Sequence, residues 1–283
     1  MSAVLPLTGR VACATAIAAG LALSGPPAAV ADEVDLLETR GYAALGTFIN
    51  GSKLKIRLDG ETGETGTEVN WGDTFGDKDV SRFRLDGLWR FAERHYLRFL
   101  YTDYSRSRTA SFNEDVEWGG EIIPIGAEVS AKLGFEIIEL AYEYAFLKRD
   151  DYELAASIGV HYTTFDARLR ATVELPNGDG TEERGGTASV DAPLPVVGLH
   201  GLWNIGGNFY LDAHAQYFAL SIDDYDGQII NYRAALLWQP KKYLGLGVGY
   251  DLFEIDVDAE KDRFTGSMEW EYAGPQVFFS VGF

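Results

Sequence analysis

The chain has 283 residues, with 24 Lys plus Arg against 43 Asp plus Glu, 16 Phe, 15 Tyr, 6 Trp and one Cys. This much apolar and aromatic content excludes a disordered chain, and the composition also excludes collagen, a coiled coil and a disulfide-stapled scaffold. A formal net charge of −19 excludes a nucleic-acid partner, because no basic stripe is present to displace counterions from phosphates.

Arg10 precedes an uncharged, Ala-rich apolar run from Val11 to Ser24, which ends at Gly25-Pro26-Pro27 and is followed by the small-x-small triplet Ala29-Val30-Ala31. The pattern predicts a secretory signal peptide over residues 1–31, cleaved before Asp32. The run is too short for a membrane-spanning helix, which needs about 20 apolar residues. Cys13 precedes most of the run, whereas a lipoprotein anchor would follow it. Removal of the leader leaves no cysteine, which points to a Gram-negative envelope rather than a small disulfide-bonded secreted domain. Residues 32–40 are then a short periplasmic N-terminal segment, and residues 41–283 a barrel domain.

From residue 41 onwards apolar and polar residues alternate with the period of a strand. Phe83, Leu85, Gly87, Trp89 and Phe91 share one parity, against Arg82, Arg84, Asp86 and Arg90 on the other. The same division recurs at Ile138–Phe146 against Glu139 and Glu143, at Leu154–Tyr162 against Glu153 and His161, and at Phe209–Tyr217 against Asp212 and His214. Ten strands are predicted, at 41–58, 80–91, 96–117, 120–147, 152–173, 192–204, 208–221, 227–239, 243–256 and 267–283. Short connections at 92–94, 148–151, 205–207 and 239–242 alternate with longer ones. An even number of antiparallel strands with short turns at one end and long loops at the other predicts an all-β fold, an up-and-down transmembrane β-barrel with both termini on the periplasmic, short-turn side.

A soluble ligand-binding barrel such as a lipocalin shows the same alternation with the faces exchanged. Aromatic placement separates the two. Trp89, Phe91, Phe146, Trp203, Phe209 and Trp238 lie on the apolar parity within a few residues of the short turns, where a membrane-interface girdle requires amphipathic rings. The carboxyl-terminal stretch Tyr272-Ala273-Gly274-Pro275-Gln276-Val277-Phe278-Phe279, ending in Phe283, resembles the terminal strand signal read by the outer-membrane barrel assembly machinery. The mature chain as a whole resembles the broad group of small, largely uncharacterised bacterial outer-membrane β-barrel proteins. That resemblance implies fold and location but no shared activity.

The longer connections, 59–79, 112–121, 174–191, 222–227 and 254–271, hold more than half of the acidic residues and only Lys78, Arg184, Lys261 and Arg263 among the bases. Such a rim, facing anionic lipopolysaccharide and other outer-membrane lipid, calls for divalent cations between carboxylates and phosphates. Glu254, Asp256, Asp258 and Glu260 share a parity, which makes them candidates for a Ca²⁺ or Mg²⁺ site. A solvated acidic loop is the competing reading, and Lys261 stands where an EF-hand needs Gly. Trp71, Phe75, Phe112, Trp118 and Trp270 lie among these acids, either for a surface ligand or for girdle and hairpin packing. No other cofactor is implied.

The inward parity carries Arg82, Arg84, Arg90, Arg98 and Arg233 opposite Asp86, Glu139, Glu143, Asp212 and Asp251, with His161, His200 and His214 on the same face. Charges in a narrow lumen must pair, because desolvation is costly, and ten strands enclose little more space than the eight that side chains fill. The expectation is a charged network plugging the lumen. A narrow small-solute or cation channel is the alternative. Asp212-Ala213-His214 resembles the Asp/His pair of the omptin proteases, ten-stranded barrels with an additional Asp/Asp couple. The pair begins only five residues after Gly206-Gly207, towards the periplasmic end and not the outer rim, and no Asp/Asp couple faces it. A structural or surface-interaction role without catalysis is expected, with a barrel-embedded hydrolase as the least favoured reading.

Overall fold

A computed structural model describes residues 35–283 apart from 61–62, 77–78, 175–179, 223–224 and 262–263. The expected leader lies outside the described residues. In chain order the elements are β1 (Gly41–Leu58), β2 (Val69–Asn70), α1 (Trp71–Phe75), β3 (Asp79–Ala92), β4 (His95–Ser111), β5 (Val116–Trp118), β6 (Glu121–Ile123) and β7 (Glu128–Lys148), followed by β8 (Tyr152–Glu174), β9 (Thr181–Gly206), β10 (Phe209–Ile222), β11 (Tyr225–Lys241), β12 (Leu244–Lys261) and β13 (Phe264–Gly282). Ten of these strands, all but β2, β5 and β6, pair antiparallel in sequence order, and β13 returns to pair with β1. The barrel is therefore closed. Its seam is locked where β1 begins and β13 ends, the Gly41 and Phe283 backbones exchanging hydrogen bonds of 3.1 and 2.9 Å.

Near the short turns the outward parity is apolar and the inward parity polar. Leu140 is 58% exposed and Phe279 65%, whereas Glu143, three residues from Leu140 on β7, is fully buried. An outward belt of this kind is stable only against lipid, so the barrel spans a membrane. His95, the first residue of β4, joins the girdle, with Nδ1 2.6 Å from the Tyr142 hydroxyl. One turn is held by backbone conformation: Gly206, Gly207 and Asn208 all adopt positive φ between β9 and β10, which Gly and Asn tolerate best.

The strands run on past this belt, and there the polarity reverses without a change of parity. On β7 the inward residues pass from Glu143 and Glu139 to Ile137, Phe135, Leu133 and Val129, all buried. The outward ones pass from Leu140 and Ile138 to Glu136, Lys132 and Glu128. On β8 the exchange falls between Tyr162 and Phe165, and on β12 between Asp251 and Glu254. The hairpin half of the molecule is a water-facing barrel with an apolar core, stacked on a membrane-embedded barrel with a polar one.

Two expectations are corrected here. Residues 174–191 and 254–271 are largely strand, not loop, so acids such as Glu182, Asp256, Asp258 and Glu269 stand on the outer walls of the extended barrel. The segment 112–127 does not continue the β4–β7 hairpin either: β4 stops at Ser111, and the chain folds inward as the small hairpin β5–β6. The cause is apolar content. Phe112, Val116, Trp118 and Ile123 are buried with Trp71 and Phe75 of α1 against the inner faces of β1, β7, β8 and β13. The helix is started by Asn70, whose Oδ1 accepts from the Asp73 amide at 3.2 Å, and ended by Gly76 in the left-handed region. The aromatics Trp71, Phe75, Phe112, Trp118 and Trp270 are thus core side chains, and the surface-ligand reading for them is withdrawn.

Candidate functional site: the filled lumen

The lumen is occupied at three levels. At the short-turn end, residues 35–40 turn into the mouth, burying Leu36 and Leu37 against Leu88, Tyr96, Leu202, Tyr210 and Phe278. The Leu36 amide donates to the Tyr210 hydroxyl at 3.2 Å. Arg90 anchors this cork, donating to the Leu36 and Thr39 carbonyls while its Nη2 contacts both oxygens of Glu153 at 2.9 and 3.0 Å. Tyr96 donates to the same carboxylate at 2.8 Å.

Above the cork runs a relay of alternating charge contributed by seven strands. Arg98 Nε lies 2.5 Å from Glu143 Oε1, and Glu143 Oε2 is 3.0 Å from His200 Nδ1. His200 Nε2 is 3.2 Å from Asp212, which also accepts from Tyr42 at 3.0 Å and meets Arg233 at 3.3 Å. Arg233 reaches Asp86 at 3.2 Å, Asp86 is 3.6 Å from Arg84, and Arg84 closes on Asp251 at 2.7 Å. His200 thus bridges Glu143 and Asp212, one ring nitrogen to each carboxylate. Four basic side chains alternate with four acidic ones along the relay. A smaller cluster lies beside it: Glu139 is held by His161 at 3.1 Å and by Gln216 at 2.5 Å.

The third level is the apolar core of the hairpin half. Arg82 marks its floor, its guanidinium over the rings of Trp270 at 4.3 Å, Tyr104 at 4.8 Å and Tyr272 at 5.0 Å. A cation over aromatic faces is a reasonable junction between a polar and an apolar compartment.

Most of the lumen residues singled out from sequence come together in this way. Arg82 meets the aromatic faces of Trp270, Tyr104 and Tyr272, and Arg90 serves the cork through Glu153. His214 is buried next to His200, its Nε2 without a hydrogen-bond partner among the described residues. Four contributors were missed, Glu153, Tyr42, Tyr96 and Gln216. Glu153 and Gln216 share the inward parity of His161 and His214, so the alternation carried the signal. The balance of five bases against five acids hid it. Glu254, Asp256 and Asp258 sit on the outward face of β12, opposite Glu271, Glu269 and Ser267 of β13, while the Glu260 side chain lies outside the described residues. Among the described residues no group of three His, Cys, Asp or Glu is placed to hold a metal ion.

Neither a protein-family model nor a curated protein sequence matches this chain. Solved structures do. The outer membrane protease OmpT from Escherichia coli aligns over 86% of this chain and 96% of its own, at 12% identity and a TM-score of 0.53. Ail, the attachment invasion locus protein of Yersinia pestis, aligns at 12% identity over 85% of this chain and 99% of its own, with a TM-score of 0.31. The toluene transporter TodX of Pseudomonas putida aligns at 8% identity, over 86% and 89%, with a TM-score of 0.33. At such identities the likeness is one of fold: this chain has the fold of the ten-stranded outer-membrane β-barrels.

Proposed function

We propose that the protein is a sealed outer-membrane barrel of a Gram-negative cell, with both chain ends in the periplasm and the long hairpins outside, serving a structural or surface-interaction role rather than conduction. The supporting observation is the threefold filling of the lumen by cork, charge relay and apolar core, with the mouth covered by α1 and β5–β6. An ion entering from outside would first have to cross the apolar core around Trp118 and Phe135, where it has no partner. Asp212 and His214 lie below that core, and Asp212 is already engaged by Tyr42, His200 and Arg233, which supports a network role over a protease-like one.

Refolded protein in a planar bilayer is expected to show no steady conductance, and steady conductance in the unmodified protein would overturn the sealed reading. Orientation is tested separately with single cysteines. Thr181→Cys should react with an impermeant maleimide on intact cells and Lys242→Cys should not. The reverse pattern would invert the protein.

A further inference from the structure

The outer wall of the hairpin half carries one feature at odds with a chain of net charge −19. Lys132 of β7 and Arg168 of β8 are directly opposed across the strand pair, with Arg170 two residues further along. All three are exposed and outward, and none has a carboxylate within 4 Å among the described residues. Like charges in direct cross-strand register destabilise a sheet, and acids are abundant in this protein, so the grouping calls for an anion from outside.

The local structure makes room for one. Arg170 is opposed by Gly185 of β9 and Arg168 by Thr187, so no bulky side chain covers either guanidinium, and a groove of about 240 Å³ runs between β8 and β9. Arg168 Nε donates to Thr187 Oγ1 at 2.9 Å, which orients the fork with its two terminal nitrogens still available. Asp166, the nearest acid towards the membrane on β8, accepts from Ser189 at 2.8 Å. Arg184, also in the groove, is engaged by Glu182 and by the Ile122 carbonyl. Glu183 bounds the far end and keeps the site from being cationic throughout.

We propose that Lys132, Arg168 and Arg170 form a binding site for a phosphate monoester or diester, supplied by the headgroup sugars of the glycolipid surrounding the barrel, that is, lipopolysaccharide. Arginine forks match phosphate geometry, and Lys adds a point charge. Level agrees with this source. Arg168 and Arg170 stand six and eight residues beyond Tyr162, the last outward apolar residue of β8, which at a strand rise of about 3.3 Å and a tilt of about 40° is about 15–20 Å above the apolar belt. That level lies beyond the acyl chains, among the phosphorylated core sugars of the glycolipid. The inference rests on the outward placement of the hairpin end proposed above.

The test uses the mature protein refolded in zwitterionic micelles and three probes: purified rough-type lipopolysaccharide, the same material dephosphorylated with hydrofluoric acid, and inorganic phosphate. Native protein should bind the first about tenfold more tightly than the second, and the variant Lys132→Gln/Arg168→Gln/Arg170→Gln should lose about tenfold towards the first alone. The heat-shifted gel mobility of the variant verifies the barrel. If the triple variant does not refold, Arg170→Gln alone should still lose about threefold. Equal binding of both lipopolysaccharide forms, or an unchanged affinity in the variant, overturns the site. Inorganic phosphate bound as tightly as the lipid overturns its assignment to the membrane. Conductance is untouched by these substitutions, so failure here and failure of the sealed-lumen reading are told apart.

Discussion

The membrane half and the hairpin half are built from the same strands with the same inward parity, yet one is polar inside and apolar outside and the other is the opposite. On β7, Leu140 faces lipid and Glu143 the lumen, whereas further along the same strand Lys132 faces outward and Val129 inward. The difference teaches that the pleat decides only which residues share a face. Which face is apolar depends on what lies outside it, and the step where polarity changes marks the membrane boundary on each strand.

The comparison is broken most severely at the charge relay. Glu143→Ala leaves Arg98 and His200 without their shared carboxylate in a buried site and should cost about 3–5 kcal/mol, measured by urea unfolding of the refolded barrel in lipid vesicles. A loss below about 1 kcal/mol would mean that water replaces the pair, and the lower lumen would not be the dry network described.

The boundary itself is tested by moving one charge along one face. Leu140→Arg should cost about 2–4 kcal/mol, while Glu136→Arg, on the same face four residues beyond, should stay within about 0.5 kcal/mol. Equal costs would place both residues in one medium. A gentler version removes a single methyl group: Ile137→Val in the apolar core should cost about 0.5–1.5 kcal/mol, and Ile158→Val on the lipid face close to nothing.

The smallest effect belongs to the acidic wall of the hairpin half. Partial burial, and then Asp258, Glu269 and Asp226, raise the Asp256 carboxyl above its usual value. The folded protein therefore holds that proton more tightly than the unfolded chain. The resulting penalty is full above the folded pKa and vanishes as pH falls below the unfolded one. Asp256→Asn should stabilise by about 0.5 kcal/mol or less at neutral pH, an increment that fades in acid. An increment that persists in acid would trace the effect to something other than ionisation.

The strand count, the strand order and the outward aromatics near the short turns were legible in the sequence, because alternation over long stretches reports the pleat directly. Polarity reversal was not. Reading one parity as polar from end to end turned Glu254, Asp256 and Asp258 into loop residues, although Phe253, Ile255 and Val257 continue the alternation with inside and outside exchanged. The inward fold of residues 112–127 was hidden for a different reason. Its apolar residues are too few and too irregularly spaced to show a period, and what holds them is a core made by strands distant in sequence. In the lumen, residue type and parity identified the participants. Partner choice was beyond them: nothing in the spacing of Arg82 sets its guanidinium over the Trp270 ring.

The seam between β1 and β13 has a kinetic consequence. The two strands that close the barrel are the first and last of the described ones, so their contacts span almost all of the described residues and form only after the longest loop closure among them. The cork, the relay and the upper core each draw on strands from both sides of that seam. None of them can be completed on an open sheet. Folding should therefore proceed through a poorly protected intermediate and end in one late, cooperative step, with amide protection appearing together in β1, β13 and the lumen rather than strand by strand from the amino terminus.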